Sequence, residues 1–577
     1  MPASGLCPQP VLLTNTSIAS NHEHKGKHVK RTPKAIATLR AAAVWVFLIC
    51  AAGRLPAQKS LVPAPDRTPK DGGGPYDRLV IRGITVIDGT GAAPRGPMDV
   101  VVEHNRIVDV VSVGYPHVPI KDKGRPAKGT REIDGTGMYL TPGFVDTHVH
   151  YGDPQKAPDA EYVDKLWLAS GVTTVRGVPA GPLDWALHER ERSAKDEIAA
   201  PRIFVYQPAF TGDGWKPQPI ETPELGREWV RFIAGKGADG IKLFGGDPDV
   251  VAAILDEGKK YKLGSLAHLG QESEPRLNAR DATRLGLRTV THSYGLFESL
   301  LMDSTIQDYP TDQNYNDEQM RFGQVARNWD KIYPRGSKQW NDLIAEWVKN
   351  GTVLSPTMVI YSAGRDLERA YSAEWHDKYT LPSLMKYYQP NRENHGSFFY
   401  NWTTEDEVAY KNYYRVWEEF LDDFKNAGGH VTTGTDAGFI YQTYGFAYIQ
   451  ELELLREAGF TPLEVIRSAT LYGAEELQRP KQTDVDFGII RPGKLADMII
   501  IDQNPIANLK VLYPTGWMRL NDETGKVERV GGIKYTIKDG IVFDDKQLLA
   551  DVAAMVAKQK AAIKGPVTLQ GVSKTYQ

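Results

Sequence analysis

Cysteine is almost absent from these 577 residues: there are two, Cys7 and Cys50, both in the first tenth of the chain. That excludes a disulfide framework, and any metal site further along must be built from histidine and carboxylates. An excess of one charge is missing too. Lys and Arg total 69 against 72 Asp and Glu, a net charge of −3, so nothing draws the chain as a whole to nucleic acid or anionic lipid. The expected partner is a small neutral molecule. No window of eighteen apolar residues occurs, which argues against a permanent membrane span. The content of 41% hydrophobic and 24% charged residues excludes a fibre, a coiled coil and a wholly disordered chain. At roughly 150 residues per domain the length allows two to four domains, a large barrel using more than one such unit.

What is present begins with an address. Lys25 to Arg40 carries six basic residues and no acid, and Ala41 to Ala52 then runs as AAAVWVFLICAA. A basic stretch followed by a short apolar one reads as a signal peptide, with cleavage expected near Ala57 and a periplasmic or secreted product. Twelve residues make a helix of about 18 Å, short of the roughly 30 Å hydrocarbon core. The alternatives are an uncleaved anchor, a lipid-modified Cys50, and a start at Val29 if the segment before it is not translated.

Beyond a Pro, Asp and Gly rich linker, β-like runs at Leu79 to Val86 and Asp99 to Val111, the second broken by a turn at His104-Asn105, predict a small β module. Past Thr141 apolar runs alternate with amphipathic helices, the order of a parallel sheet wrapped by helices. Eight strand candidates are Tyr139–Val145, Val172–Val175, Arg202–Tyr206, Gly240–Leu243, Leu263–Ala267, Arg288–Thr291, Val353–Pro356 and Val431–Thr433. Helices are expected at Glu224–Ala234, Pro248–Lys260, Lys338–Asn350 and Glu405–Ala427, with Gly171 and Gly428 at helix ends that favour positive φ. The predicted class is α/β: a (β/α)8 TIM-like barrel with a discontinuous small β-sandwich domain formed by both chain ends. An open sheet is the alternative. The expected divisions are a targeting segment at 1–57, a linker at 58–77, the β-sandwich at 78–140 and 485–545, the barrel at 141–484 and a tail at 546–577.

Polar residues then fall at strand ends. PGFVDTHVH places His148 and His150 two apart on an apolar strand, hence on one face, and two neutral imidazoles can grip one ion. An HxH alone is weak. However, Lys242 ends GADGIKL in a run that should be buried, where an amine is costly unless paired or altered. His268 ends LGSLAH, His292 ends RTVTH, and Asp436 follows VTTGT. In a barrel the C-terminal ends of the strands converge on the active site. Each residue alone has a plain structural reading, as a satisfied core histidine, a helix cap or a snorkelling lysine. His104, His117, His188, His376, His395 and His430 lack the strand-end setting and are expected at the surface.

With these residues in place the chain resembles the amidohydrolase superfamily over about 78 to 545. PGFVDTHVH, GADGIKLF, AHLG, THSYG and TGTDAG fall in the family's order, with ASGVTTVR and RPGKLADMIIID beside them. The lysine in a GADxIK context is most similar to the prolidase-like and imidazolonepropionase-related branches. The resemblance implies that His148, His150 and Asp436 hold a first zinc ion and His268 and His292 a second. Lys242, carboxylated to N6-carboxylysine, would bridge the two. It further implies that a metal-bridged hydroxide attacks the carbonyl of a small amide while Asp436 serves as catalytic base and then protonates the leaving amine.

The chain departs from the family where His292 is followed by Ser293, Tyr294 and Gly295, and where Gly177 follows VTTVR. Both departures bear on the substrate pocket rather than on the ligands. Two long aromatic segments, Ser293–Ser337 and Tyr361–Trp402, could form a lid over an apolar substrate or could merely pack on the barrel. Tyr294 and Tyr361 are the candidate substrate contacts, and Arg176 and Arg365 the candidate partners of a substrate carboxylate. The leading reading is a binuclear zinc hydrolase of a dipeptide or N-acyl amino acid. A deaminase or cyclic amide hydrolase with one metal on His148, His150, His268 and Asp436 is the second, and an inactive barrel acting as a binding protein the third. A homo-oligomer is compatible with the sequence, but no segment marks an interface.

Overall fold

The computed structural model describes residues 61–563, apart from 121, 152, 180–181, 210, 217–219, 271–275, 303–310, 313, 315–316 and 393–401. The expected targeting segment 1–57 with both cysteines, His395, and residues 564–577 lie outside the described residues.

Five strands come first: β1 (Leu79–Val86), β2 (Arg95–Glu103), β3 (Arg106–Ser112), β4 (Arg131–Asp134) and β5 (Tyr139–Pro142). Eight follow: β6 (Phe144–Tyr151), β7 (Val172–Pro179), β8 (Arg202–Pro208), β9 (Gly240–Leu243), β10 (Gly264–Ala267), β11 (Thr289–Thr291), β12 (Val353–Ser355) and β13 (His430–Val431). The last are β14 (Met498–Ile501), β15 (Trp517–Asn521), β16 (Lys526–Val530), β17 (Ile533–Lys538) and β18 (Ile541–Asp544). Strands β6 to β13 pair in chain order into a curled, all-parallel sheet, with helices in the connections as such a sheet demands. Beyond the paired strands, Thr147 N–H donates to Thr433 O at 2.8 Å and Asp436 N–H to His148 O at 2.8 Å. The chain following β13 is thus bonded back to β6.

Strands from both chain ends join one mixed sheet in the order β18-β17-β14-β5-β1-β2-β3, with β4 beside β1. It surrounds its own core, which includes Leu79, Ile81, Val100, Ile107, Leu140, Met498, Ile500 and Ile537. Its pairing is that of a single sheet, where the sequence predicted a two-layer sandwich. The only other strands described, β15 and β16, form a separate ribbon.

Two expectations are corrected, one about a strand and one about two histidines, and two terminal segments are described more closely. Tyr139–Val145 is not one strand: Tyr139–Pro142 pairs with β1 and β14, and the parallel sheet begins only at Phe144. The change of sheet happens at Gly143, where a Cβ would meet the Thr173 side chain at 2.2 Å, so only glycine permits this approach. The described part of the linker lies along the barrel, with Val62 N–H on Pro158 O and Ala64 N–H on Glu189 Oε2. The tail is a helix, Asp545–Ala562, burying Leu548, Val552 and Val556 at one-turn spacing. Finally, His376 is buried and His430 half-buried rather than superficial. His376 Nε2 lies 2.8 Å from Ala370 O, and His430 stacks on Tyr472.

The connecting helices start and stop where local chemistry directs. Pro223–Lys236 has Thr222 as N-cap accepting from Leu225 N–H, proline in its first turn and Gly237 at φ 97° past its end. Lys338–Asn350 is capped by Ser337 and closed by Gly351 at φ 67°, and Thr404–Asn426 opens with a capping box on Thr403 and Asp406. No helix among the described residues is long and apolar enough to cross a membrane.

Candidate active site

Lys242 lies within β9, His268 and His292 immediately follow β10 and β11, and Asp436 comes five residues after the end of β13. The two histidines remain stitched to neighbouring strands: His268 N–H donates to Leu243 O at 2.9 Å and His292 N–H to Ser355 O at 3.1 Å. His148 and His150 lie in the last four residues of β6, which ends at Tyr151. Gly434 passes so close that a Cβ there would stand 2.8 Å from His148 Cβ, which is why the chain before Asp436 needs a glycine.

All six side chains occupy one volume. Asp436 Oδ1 is 2.8 Å from His150 Nε2 and 3.7 Å from His148 Nε2, and its Oδ2 is 3.7 Å from His292 Nε2. Lys242 Nζ is 3.4 Å from His148 Nε2. The His268 ring lies 4.6 Å from that of His292. Donor atoms of His148, His292 and Asp436 lie within 4.8 Å of one another and could hold a metal ion. The fit is supported by His292 Nε2, which is buried with no hydrogen-bond partner, an orphan of the kind that ordinarily has an explanation.

Burial governs the protonation states. It lowers the pKa values of His148, His268 and His292 well below the usual histidine range, so these rings are neutral, the form that ligates metal. Burial alone would raise Asp436, but the His150 ring, 2.8 Å away and hydrogen-bonded to it, outweighs this and holds the carboxyl well below its ordinary value. Lys242 is lowered to about 7 by burial, with Arg176 contributing. Asp436, His292 and Thr357 adopt left-handed backbone conformations, with φ of 53°, 64° and 50°. For non-glycine residues these cost on the order of 1 kcal/mol or more each and cluster where function demands a fixed geometry.

Tyr294 and Tyr361 are buried and meet edge to face at 5.7 Å. Tyr294 lies 4.8 Å from the His268 ring and Tyr361 5.5 Å from that of His292. Tyr361 sits in the helix Met358–Arg365 rather than in a loop. Most other aromatic residues of that segment pack: Trp375 stacks on Phe446 and Tyr513, and Tyr388 bonds Gln442 O. Of the two arginines expected to hold a carboxylate, Arg365 is committed to other partners, while Arg176 keeps one buried nitrogen, Nη2, without a hydrogen bond. Arg176 is buried against Thr147 O, Thr289 and Glu476, and Arg365 pairs with Glu418 and Glu457.

Sequence reasoning missed four residues. Asp146 accepts from the backbone of His148 and from Thr435 N–H and Oγ1–H, tying β6 to the segment bearing Asp436. The spacing in DTHVH, with Asp146 two before His148, was the available signal. Thr357 Oγ1 lies 2.5 Å from His292 Nδ1, and Glu451 accepts from Val359 N–H at 2.8 Å at the start of the same helix. Arg321 is buried with its guanidinium carbon 5.9 Å from the Tyr294 ring centre. None of these three has a local sequence signature.

The model of the amidohydrolase family matches residues 139–542. Among solved structures, a Xaa-Pro dipeptidase with bound methionine in its active site is 21% identical, with 81% of this chain and 100% of that one covered at a TM-score of 0.51. A molinate hydrolase is 17% identical over 82% of this chain and 96% of its own at 0.52, and a bottromycin amidohydrolase 17% over 85% and 92% at 0.56. These likenesses establish a shared fold. With a family match across most of its length and this site at the strand ends, the chain belongs to the amidohydrolase family, an enzyme of carbon–nitrogen bond hydrolysis.

Proposed function

We propose that this protein is a metal-dependent hydrolase cleaving the C–N bond of a small linear amide, a dipeptide or an N-acyl amino acid. The observation that carries this reading is the Asp436 carboxylate set among His148, His150 and His292 with Lys242 at 3.4 Å from His148. His148, His150 and Asp436 would hold one divalent ion, His268 and His292 a second, with zinc as the expected metal. When bound, such ions would activate water and polarise the amide carbonyl.

Asp436 is ionised and so ready to take the proton of the attacking water, then return it to the leaving nitrogen. The lowered pKa of Lys242, about 7, leaves much of it as free amine at neutral pH. That form adds carbon dioxide through its nitrogen lone pair and sheds a proton, which would convert a costly buried cation into an anionic oxygen ligand. Tyr294 and Tyr361 wall the site on the His268 and His292 side and would contact the substrate. The lysine-rich, then apolar, run from Lys25 to Ala52 supports export.

A one-metal enzyme is the second reading, favoured by the compactness of the three-residue cluster His148, His292 and Asp436. The experiment supplies the protein with zinc and bicarbonate and screens Xaa-Pro dipeptides, N-acyl amino acids, cyclic amides and aminopurines, with Asp436→Asn as blank. Amino acid release from a linear amide with two zinc ions per chain supports the proposal. Ammonia release or ring opening with one ion supports the second reading.

A further inference from the structure

We propose that a cleft separate from the candidate active site binds a small phosphate monoester with an apolar body. The cleft holds about 460 Å³. Its walls are the short helix His376–Tyr379 with the residues before it, the turn at Pro514 and Thr515 leading into β15, Arg529 of β16, and the first turns of the helix Asp545–Ala562. None of the six residues of the candidate active site lines it. The volume lies within the roughly 300 to 1,000 Å³ of small-molecule sites.

Two buried polar atoms belong to residues of this lining and have nothing to bond. Trp375, 5% exposed, stacks between Phe446 and Tyr513 with ring centres 4.9 and 5.4 Å away, which fixes its indole. Its Nε1–H has no acceptor, and Thr515 Oγ1 is likewise buried without a partner. Each such group costs about 1 to 3 kcal/mol and ordinarily has an explanation. That both belong to one cleft supplies a common one.

Charge decides the sign of the ligand. Lys378, Arg529 and Lys546 line the cleft against a single acid, Glu374. Arg529 holds Glu374 with both arms, at 3.0 and 2.8 Å, whereas Lys378 and Lys546 have no acidic partner among the described residues. The acids beside the lining in sequence are engaged elsewhere: Asp377 with Lys560 at 2.7 Å, Asp544 as a helix N-cap, and Asp545 with Thr536 at 3.2 Å. Two lysine charges are left to attract an anion.

Shape decides its class. A planar carboxylate is best met by a guanidinium fork, and that of Arg529 is taken, its Nη1 also donating to Thr515 O and Gly516 O. Lysine ammoniums are point charges with rotatable donors. A phosphate monoester, with three acceptor oxygens and a charge near −2, answers two of them and leaves an oxygen for the indole or the hydroxyl. Pro514 and Leu549 give the apolar body its wall.

The test titrates phenyl phosphate into the full-length protein by calorimetry, with benzoate and inorganic phosphate in parallel. Lys378→Gln/Lys546→Gln and Thr515→Val variants are compared, with circular dichroism as the check on folding. Protein stripped of metal with EDTA is titrated beside metal-loaded protein, which tells this cleft from the metal centre. Expected is phenyl phosphate binding with or without metal, weakened at least about tenfold by the double lysine variant and about threefold by Thr515→Val. Benzoate and inorganic phosphate should each bind at least about fivefold more weakly. The Trp375 indole N–H resonance, identified by its loss in Trp375→Phe, should move with the same midpoint.

No binding, binding only with metal present, or an affinity unchanged in the double lysine variant overturns the proposal. Benzoate or inorganic phosphate held as tightly as phenyl phosphate also overturns it, because the cleft is then an unselective basic surface.

Discussion

Two clusters of buried charge lie at opposite ends of the parallel strands, and they are built on opposite principles. Arg202, the first residue of β8, pairs with Asp497 at 2.5 Å and Asp539 at 2.6 Å. Lys538 completes the group by bonding Asp539 at 3.0 Å, Asp196 at 2.8 Å and Ser193 O at 2.6 Å. Asp539 N–H donates to Asp497 Oδ1. Every charge there is answered from within the chain. At the other end, His148 Nδ1 and His292 Nε2 are buried without a hydrogen bond, and Lys242 keeps company with imidazoles. The first arrangement cements the joint between the two sheets; the second leaves ring nitrogens unbonded beside a carboxylate, a set that could hold a metal ion. What distinguishes the second cluster is that its unbonded buried atoms are imidazole nitrogens gathered round one carboxylate.

Substitutions can break this contrast. The largest effect is expected from Asp436→Asn, which keeps shape and removes the base. Its kcat should drop about a thousandfold while circular dichroism and thermal midpoint of the metal-free protein stay near wild type. Lys242→Met should abolish most turnover and lower the zinc content measured by emission spectroscopy. The metal-free variant should be more stable than wild type to urea, because burial of the amine is unfavourable. An unchanged zinc content would exclude lysine from the metal centre.

Arg202→Met should do the reverse. It strands two buried carboxylates and should cost about 3 kcal/mol in urea unfolding, with kcat altered less than twofold. The smallest effect concerns Glu451, whose carboxyl is raised to about 8 by burial from an ordinary 4.5. Between those pH values the folded chain holds a proton that the unfolded chain has lost. Stability from this residue therefore falls as pH rises, by at most about 1.4 kcal/mol per pH unit. Glu451→Gln should flatten that slope between pH 5 and 8 and gain on wild type at the upper end.

The alternation of strands and helices was legible because several helices carry their own caps, such as Thr222 and Gly237, and most strands an apolar run. The polar strand-end residues were legible because histidine, lysine and aspartate are conspicuous in apolar surroundings. Less visible was what depends on distant chain. Whether Tyr139–Pro142 continues into Phe144 is decided by Met498, Thr173 and the missing Cβ of Gly143, none of which a local pattern reveals. The fates of Arg176 and Arg365 hinge on Glu476 and Glu457 far along the chain, and Arg321 reads as an ordinary helical arginine until the fold brings it to Tyr294. The tail reads as an unassigned segment until Leu548, Val552 and Val556 find the barrel.

The handover at Gly143 also sets a schedule. Its N–H bonds Asp497 O, and the strand just before it pairs with Met498–Ile501, more than 350 residues downstream. During synthesis the segment leading into His148 has no lasting partner on that side until almost the whole chain has emerged. Contacts this remote in sequence are slow to close. The candidate site is therefore completed late, and a chain stopped short of Met498 carries all six site residues without the strand that aligns the first of them.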